Sequence, residues 1–155
     1  MKEDFEKIKQ FLDSSNIKYE VIEHEPVFTS EDAARVRGAD LKIGAKSMII
    51  RSEGKFYNFV LSAAKKLDWK KIKTLLKSDS VSLASPEEVK EAINCEIGSV
   101  PPFGSLYHLK VYCDPFLLEN EFIDFNAGLH TISINMKSND WLKLVNPEVV
   151  DFCKA

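Results

Sequence analysis

The sequence predicts an α/β domain: a mixed, largely antiparallel sheet that curls, surrounded by helices. Three observations predict it. Helical and strand-like periodicities alternate along the chain and do not segregate into halves. Several strand pairs have connections too short to hold a crossover helix, which makes those pairs antiparallel. The chain has 155 residues, 45% hydrophobic and 29% charged, which suits one ordinary core and a single domain over 1–155.

The elements follow in order. Over 3–14, Phe5, Ile8, Phe11 and Leu12 recur at helical spacing, and Ser14-Ser15-Asn16 ends that helix. Residues 17–24 alternate, with Ile17, Tyr19 and Val21 expected inside and Lys18, Glu20 and His24 outside, as in a half-buried strand. Pro26 breaks it. Thr29 or Ser30 caps a short helix that Gly38 stops. Runs 46–51 and 55–62 flank Ser52-Glu53-Gly54 and form a hairpin. Residues 68–76 read as a helix and 81–84 as a short strand. Ser85-Pro86-Glu87-Glu88 is a capping box with proline at the first helical position, opening a helix to about Asn94. After a loop over 98–104, strands are expected at 107–113, 122–125 and 130–136. Ser138 or Asn139 caps a last helix carrying Trp141, Leu142 and Leu144, and Pro147 starts a turn ending near Phe152.

Bulk properties exclude several function classes. No apolar run is long enough to span a bilayer, and the charged start Met1-Lys2-Glu3-Asp4-Phe5-Glu6 predicts no secretory signal. The three cysteines, Cys95, Cys113 and Cys153, are odd in number and form no CxxC pair, which argues against a disulfide framework or a zinc site and for a reducing cytosol. Proteins that live by non-specific phosphate contacts are usually basic, and the net charge here is −3, so nucleic acid would have to meet a local basic patch, in weak and salt-sensitive contact. Walker, GxGxxG, HExxH and GxSxG motifs are absent, and nothing requires a metal or an organic cofactor.

Strand parity sorts the polar residues. Lys46 opens its strand on the face of Met48 and Ile50, opposite Ser47, Ile49 and Arg51. It is either a stem that snorkels to water or a cation aimed into a pocket, where it could hold a phosphate or an ester oxygen. His108 falls outside, with Lys110 and Tyr112. His130 falls inside, with Ile132 and Ile134, as a hydrogen-bonded core residue or a functional one. Gly98-Ser99-Val100-Pro101-Pro102-Phe103-Gly104 is the most unusual segment. It is a stiff structural turn, or a rigid loop whose Ser99, Val100, Phe103 and Gly104 N–H groups face an oxyanion. Cys95 reads as a small buried residue. Lys66, Lys70, Lys73 and Lys77 form one stripe, either a solvated face or a phosphate-contacting strip.

The ordered set of segments resembles the YbaK/prolyl-tRNA-synthetase-associated domain superfamily. The resemblance rests on His24-Glu25-Pro26, Gly44-Ala45-Lys46 before Ser47-Met48-Ile49-Ile50, Lys66-Leu67-Asp68, Ser82-Leu83-Ala84-Ser85-Pro86-Glu87-Glu88-Val89, the 98–104 loop and Phe125-Asn126-Ala127-Gly128. It spans roughly residues 5 to 153. It implies a YbaK-like fold and metal-free hydrolysis of mischarged aminoacyl-tRNA in trans. It places Lys46 at the family's functional lysine, and Gly98 and Pro102 in its GxxxP loop.

On that resemblance, the expected substrate is aminoacyl-tRNA carrying a small or hydroxylated amino acid. Lys46 holds the terminal phosphate or ribose, and loop N–H groups from Gly98 to Gly104 meet the ester carbonyl. Phe28, Thr29 and Ser30 help line the pocket by analogy of position, with His130 as a further substrate-contacting candidate. Water attacks with help from a substrate hydroxyl, since the sequence identifies no general base. Lys66, Lys70, Lys73 and Lys77 contact the tRNA. The expected protein is a monomer with no membrane partner. Two readings compete with this one: a non-catalytic module that binds tRNA or docks on an aminoacyl-tRNA synthetase, and an esterase that needs no tRNA.

Overall fold

Helix α1 (Lys2–Ser14) buries Ile8 and Leu12 completely, as their spacing requires. The computed structural model to which it belongs describes residues 2–38, 40–96 and 98–155, and only the backbone of Lys2, Ser30, Val36 and Arg37. Strand β1 (Tyr19–Glu23) follows, then α2 (Ser30–Arg37), with Thr29 as its cap and Gly38 as its left-handed stop. The hairpin forms from β2 (Ala45–Ser52) and β3 (Lys55–Ser62). Helix α3 (Trp69–Leu76) starts at Asp68, whose carboxylate accepts from the N–H groups of Lys70 and Lys71. After β4 (Val81–Leu83), α4 (Pro86–Ile93) opens with both reciprocal bonds of the capping box between Ser85 and Glu88. That backbone bond from Ser85 also holds the Glu88 carboxyl below its ordinary range. Then come β5 (Lys110–Cys113), β6 (Phe122–Leu129), β7 (Ile132–Lys137), α5 (Ser138–Val145) and the two-residue β8 (Glu148–Val149).

The α/β class and the largely antiparallel pairing hold, but the strands divide into two sheets. One is antiparallel, in the order β1-β7-β6. The other runs β4-β2-β3-β5-β8, with β5 parallel to both β3 and β8. Three apolar clusters fill the fold. Ile8, Leu12, Phe103, Phe125, Ile134 and Trp141 belong to the first. Ile50, Phe59, Leu61, Ile72 and Phe152 form the second, with α3. Ile49, Ala84, Val89, Ile93 and Val100 form the third, with α4. Neighbouring residues of β2 therefore serve different clusters, Ile50 the second and Ile49 the third, as the period of two demands.

Several local expectations fail for identifiable reasons. The 107–113 strand begins only at Lys110, because residues 104–107 wind into a 3-10 turn that His108 closes in the left-handed region. His108 is exposed as expected, but Tyr112 is buried and stacks on Phe59 at 4.8 Å. In β1 the alternation is weak: Val21 is exposed, while half-buried His24 reaches Ser133 Oγ at 2.7 Å. Strand β6 runs on to Leu129 through an irregular register at 126–129, and His130 lies in the two-residue turn before β7. Neither Ser138 nor Asn139 is the N-cap of α5; Lys137 takes that place without a side-chain bond, and Ser138 Oγ donates instead to the carbonyl of Asn120. The turn expected after Pro147 contains β8.

Candidate active site

The start of β2, the start of α2, the β4–α4 junction and the 98–104 loop surround a cleft of about 240 Å³. Its walls are mainly apolar, with Val27, Ala33, Met48, Ile49, Ala84, Val89 and Val100 among them. Thr29, Lys46, Ser47 and Asn126 supply the polar side chains. This is smaller than the roughly 300–1,000 Å³ of a drug-sized ligand site, so it suits a small group. Among the described residues lining it, Lys46 is the only ionisable one.

Lys46 is half-buried and donates to the Lys65 carbonyl at 3.0 Å. An ammonium has three N–H donors, so two have no partner among the described residues and can serve a ligand. Burial lowers its pKa from the ordinary lysine value, opposed by the Glu31 carboxylate. The inward parity expected for Lys46 is met.

The loop is clamped from five directions. Asn126 Nδ2 donates to the Gly98 carbonyl at 2.8 Å, and the Gly128 N–H to the Ser99 carbonyl at 3.1 Å, both from β6. Ser99 itself is buried and donates from Oγ to the Glu96 carbonyl. Ser47 Oγ donates to the Pro101 carbonyl at 3.1 Å. Trp141 Nε1 donates to the Pro102 carbonyl at 2.9 Å. The Gly104 N–H donates to Asn58 Oδ1 at 3.1 Å.

These ties correct the expected donor set. The Ser99 N–H is spent on Glu96, the Phe103 N–H on Pro101 and the Gly104 N–H on Asn58. Among the described residues, only the N–H groups of Gly98 and Val100 remain without an internal partner in this loop, and both residues line the cleft. Pro101, Pro102, Phe103 and Gly104 are buried scaffold that holds those two in place. Gly98 has φ +88, a region that penalises a side chain.

Phe28 and Thr29 line the cleft. Phe28 is 72% exposed, and its ring lies 4.6 Å from that of His130. The Thr29 hydroxyl is engaged as the cap of α2, accepting from the Asp32 N–H. The Ser30 side chain lies outside the described residues. His130 does not line the cleft but stands behind Phe28, with Nδ1 on the Val27 carbonyl at 2.8 Å and Nε2 3.2 Å from the Glu96 carboxylate. Lys66, Lys70, Lys73 and Lys77 are all exposed, and none forms an ion pair among the described residues. Lys71, which the stripe omits, is instead bound to Asp151 and to the Cys153 carbonyl.

The cysteines are all free and buried, as expected for Cys95. Burial pushes the thiols of Cys95, Cys113 and Cys153 up to about 12, which removes the thiolate a nucleophile needs.

Sequence reasoning missed Ser47, Asn58, Asn126 and Trp141 as the parts that hold the loop. Asn58 carried a usable signal, since it interrupts Phe56-Tyr57-Asn58-Phe59-Val60-Leu61, where a buried amide requires partners.

Residues 24–144 match the family model described as the aminoacyl-tRNA editing domain. The chain is 34% identical over 146 residues to the multifunctional Ser/Thr-tRNA deacylase ProXp-y of Escherichia coli, covering 91% of this chain and 87% of that one. It is 29% identical over 140 residues to the prolyl-tRNA editing protein ProX of Acetoanaerobium sticklandii, covering 86% and 85%. A crystal structure presented as a candidate trans-editing enzyme for prolyl tRNA synthetase superposes with a TM-score of 0.86 at 26% identity, covering 98% of each chain.

Proposed function

This chain belongs to the aminoacyl-tRNA editing domain family, and from that membership we propose that it hydrolyses the ester of mischarged aminoacyl-tRNA in trans. The observation that carries the reading is the pairing of one half-buried ammonium, Lys46, with a clamped loop that leaves the Gly98 and Val100 N–H groups at a small cleft. The cleft size and the Ser/Thr-tRNA deacylase named among the relatives support a small or hydroxylated amino acid as the group removed.

In this mechanism Lys46 binds the phosphate or ribose oxygens of the terminal nucleotide with its two remaining N–H donors and sets the pose. The amino-acid side chain enters the cleft. The loop N–H groups meet the carbonyl oxygen, where negative charge develops as water adds to the carbonyl carbon. The bond from that carbon to the ribose oxygen then breaks, the ribose oxygen takes up a proton, and free amino acid and tRNA leave. No carboxylate or imidazole is among the described residues lining the cleft, so the neighbouring ribose hydroxyl is the group that orients the water. The exposed Lys66, Lys70, Lys73 and Lys77, without ion pairs among the described residues, supply a local phosphate-contacting strip on a chain of net charge −3. The name of the structural neighbour supports a synthetase, prolyl-tRNA synthetase in particular, as an associated partner.

The test is deacylation of alanyl, seryl, threonyl and cysteinyl esters on tRNA by wild type and Lys46→Ala. Rapid loss of one or two esters with wild type alone supports the reading. Binding of tRNA without hydrolysis of any ester replaces it with a non-catalytic module. Equal hydrolysis of minimal aminoacyl esters lacking tRNA replaces it with a simple esterase.

A further inference from the structure

Resting on that reading, we propose that Asn58 is a positioning residue for the hydrolytic site, setting the place of the Val100 N–H relative to Lys46 through a directed hydrogen-bond relay. Asn58 sits in the middle of β3 and is fully buried. A buried amide is costly unless its donors and acceptor are satisfied. Its partners lie on the two elements that make the site. Nδ2 donates to Ser47 Oγ at 2.8 Å, on the residue after Lys46. Oδ1 accepts from the Gly104 N–H at 3.1 Å, at the end of the loop. The Ser47 hydroxyl then donates to the Pro101 carbonyl at 3.1 Å, on the residue after Val100.

The direction of this relay follows from one backbone group. The Gly104 N–H can only donate, so the Asn58 oxygen must face it and the amide nitrogen must face Ser47. With its lone pair occupied by that donor, the Ser47 hydroxyl turns its own hydrogen to the loop. Gly104 permits the close approach: a Cβ there would lie 2.6 Å from Asn58 Cβ. Asn58 thus ties β2 and the loop together from inside the core, without itself lining the cleft. The site needs these two parts in register, because a displacement of about 1 Å in a catalytic group can cost about 100-fold in rate.

Asn58→Asp isolates the relay. The carboxylate still accepts from the Gly104 N–H, but its other oxygen also demands a donor, so the Ser47 hydroxyl turns inward and releases the Pro101 carbonyl. Ser47→Ala breaks the same link from the other side and serves where Asn58→Asp does not fold. The experiment is steady-state deacylation of the ester that wild type cleaves fastest, with circular dichroism and thermal melts on each variant.

Each folded single variant is expected to lose about 10- to 100-fold in kcat with KM within about 3-fold of wild type. The double variant should lose little more than the worse single, as members of one relay do. Unchanged kcat in the folded singles, a change in KM alone, or losses that multiply in the double would overturn the assignment. An active wild type with unimpaired variants removes this inference only. A wild type that hydrolyses no ester removes the proposed activity, and the inference with it.

Discussion

The Lys46 ammonium donates to the carbonyl oxygen of Lys65 at 3.0 Å, joining the start of β2 to the segment that leads into α3. The same segment is held by the Ala63 N–H on the Gly44 carbonyl at 2.7 Å and by Ser62 Oγ on the Lys42 carbonyl at 2.7 Å. The cation of the cleft is therefore braced against the segment that precedes the lysine-bearing helix.

Burial lowers the Lys46 pKa, so charge at this position opposes folding. The sign follows from proton uptake: the unfolded chain binds the proton more tightly, and the penalty is full below the folded pKa, fades between the folded and unfolded values, and is gone above the unfolded one. Lys46→Met should therefore abolish deacylation while leaving Tm at pH 7 unchanged or higher. In wild type the rate should fall on the alkaline side, at a pH below the ordinary lysine value. A pH–rate profile and melts of both proteins check this, and a large drop in Tm for the methionine variant would contradict it.

Gly104→Ala should destabilise the fold by about 1–3 kcal/mol, the usual cost of forcing a methyl into a filled core. The added Cβ would meet Asn58 Cβ at 2.6 Å and Oδ1 at 2.8 Å, and neither atom is the free end of a long chain. Urea denaturation measures it; an unchanged midpoint would show that the loop can move away from β3.

Charge reversal on the exposed strip, Lys70→Glu with Lys73→Glu, should weaken tRNA binding and flatten its salt dependence. Each lost phosphate contact lowers the slope of log K against log salt by about 0.7–0.9. Hydrolysis of a minimal aminoacyl ester should not change, because neither residue lines the cleft. Filter binding across a salt series tests it, and an unaltered slope would assign the strip to solvent.

Asp114 is buried, and its Oδ2 finds no hydrogen-bond partner among the described residues. Burial raises its pKa, helped by the charge of Asp151. The folded state holds this proton to higher pH than the unfolded chain does. The penalty is thus absent below the unfolded carboxyl value and fully present above the folded one. Asp114→Asn should raise Tm at pH 8, with the advantage vanishing as pH falls toward about 4. Melts at a series of pH values decide it; a constant difference would place the cause elsewhere.

Much of the fold was legible locally. The Ser85–Glu88 capping box, the Thr29 cap, the Gly38 stop and the β2–β3 hairpin rest on interactions within a few residues, so sequence spacing identifies them. The inward parity of Lys46 was also readable, since alternation along a strand needs no partner. The 107–113 strand failed because a 3-10 turn and the left-handed His108 compete with extended backbone where apolar and polar residues still alternate.

The site divides in the same way. The sequence by itself determined the family, the mixed α/β class, the cation at the start of β2 and the stiffness of the loop. Ser99 and Phe103 spend their N–H groups in turns of the loop itself, on Glu96 and Pro101, whereas only tertiary structure gave the Gly104 N–H its partner, Asn58 of β3. It also brought Asn58 within reach of Gly104, 46 residues away, and Trp141 within reach of Pro102, 39 away. Hydrogen bonds fall off within a fraction of an ångström, whereas spacing along a chain fixes position only within an element, so a network spanning five elements appears only once they are packed.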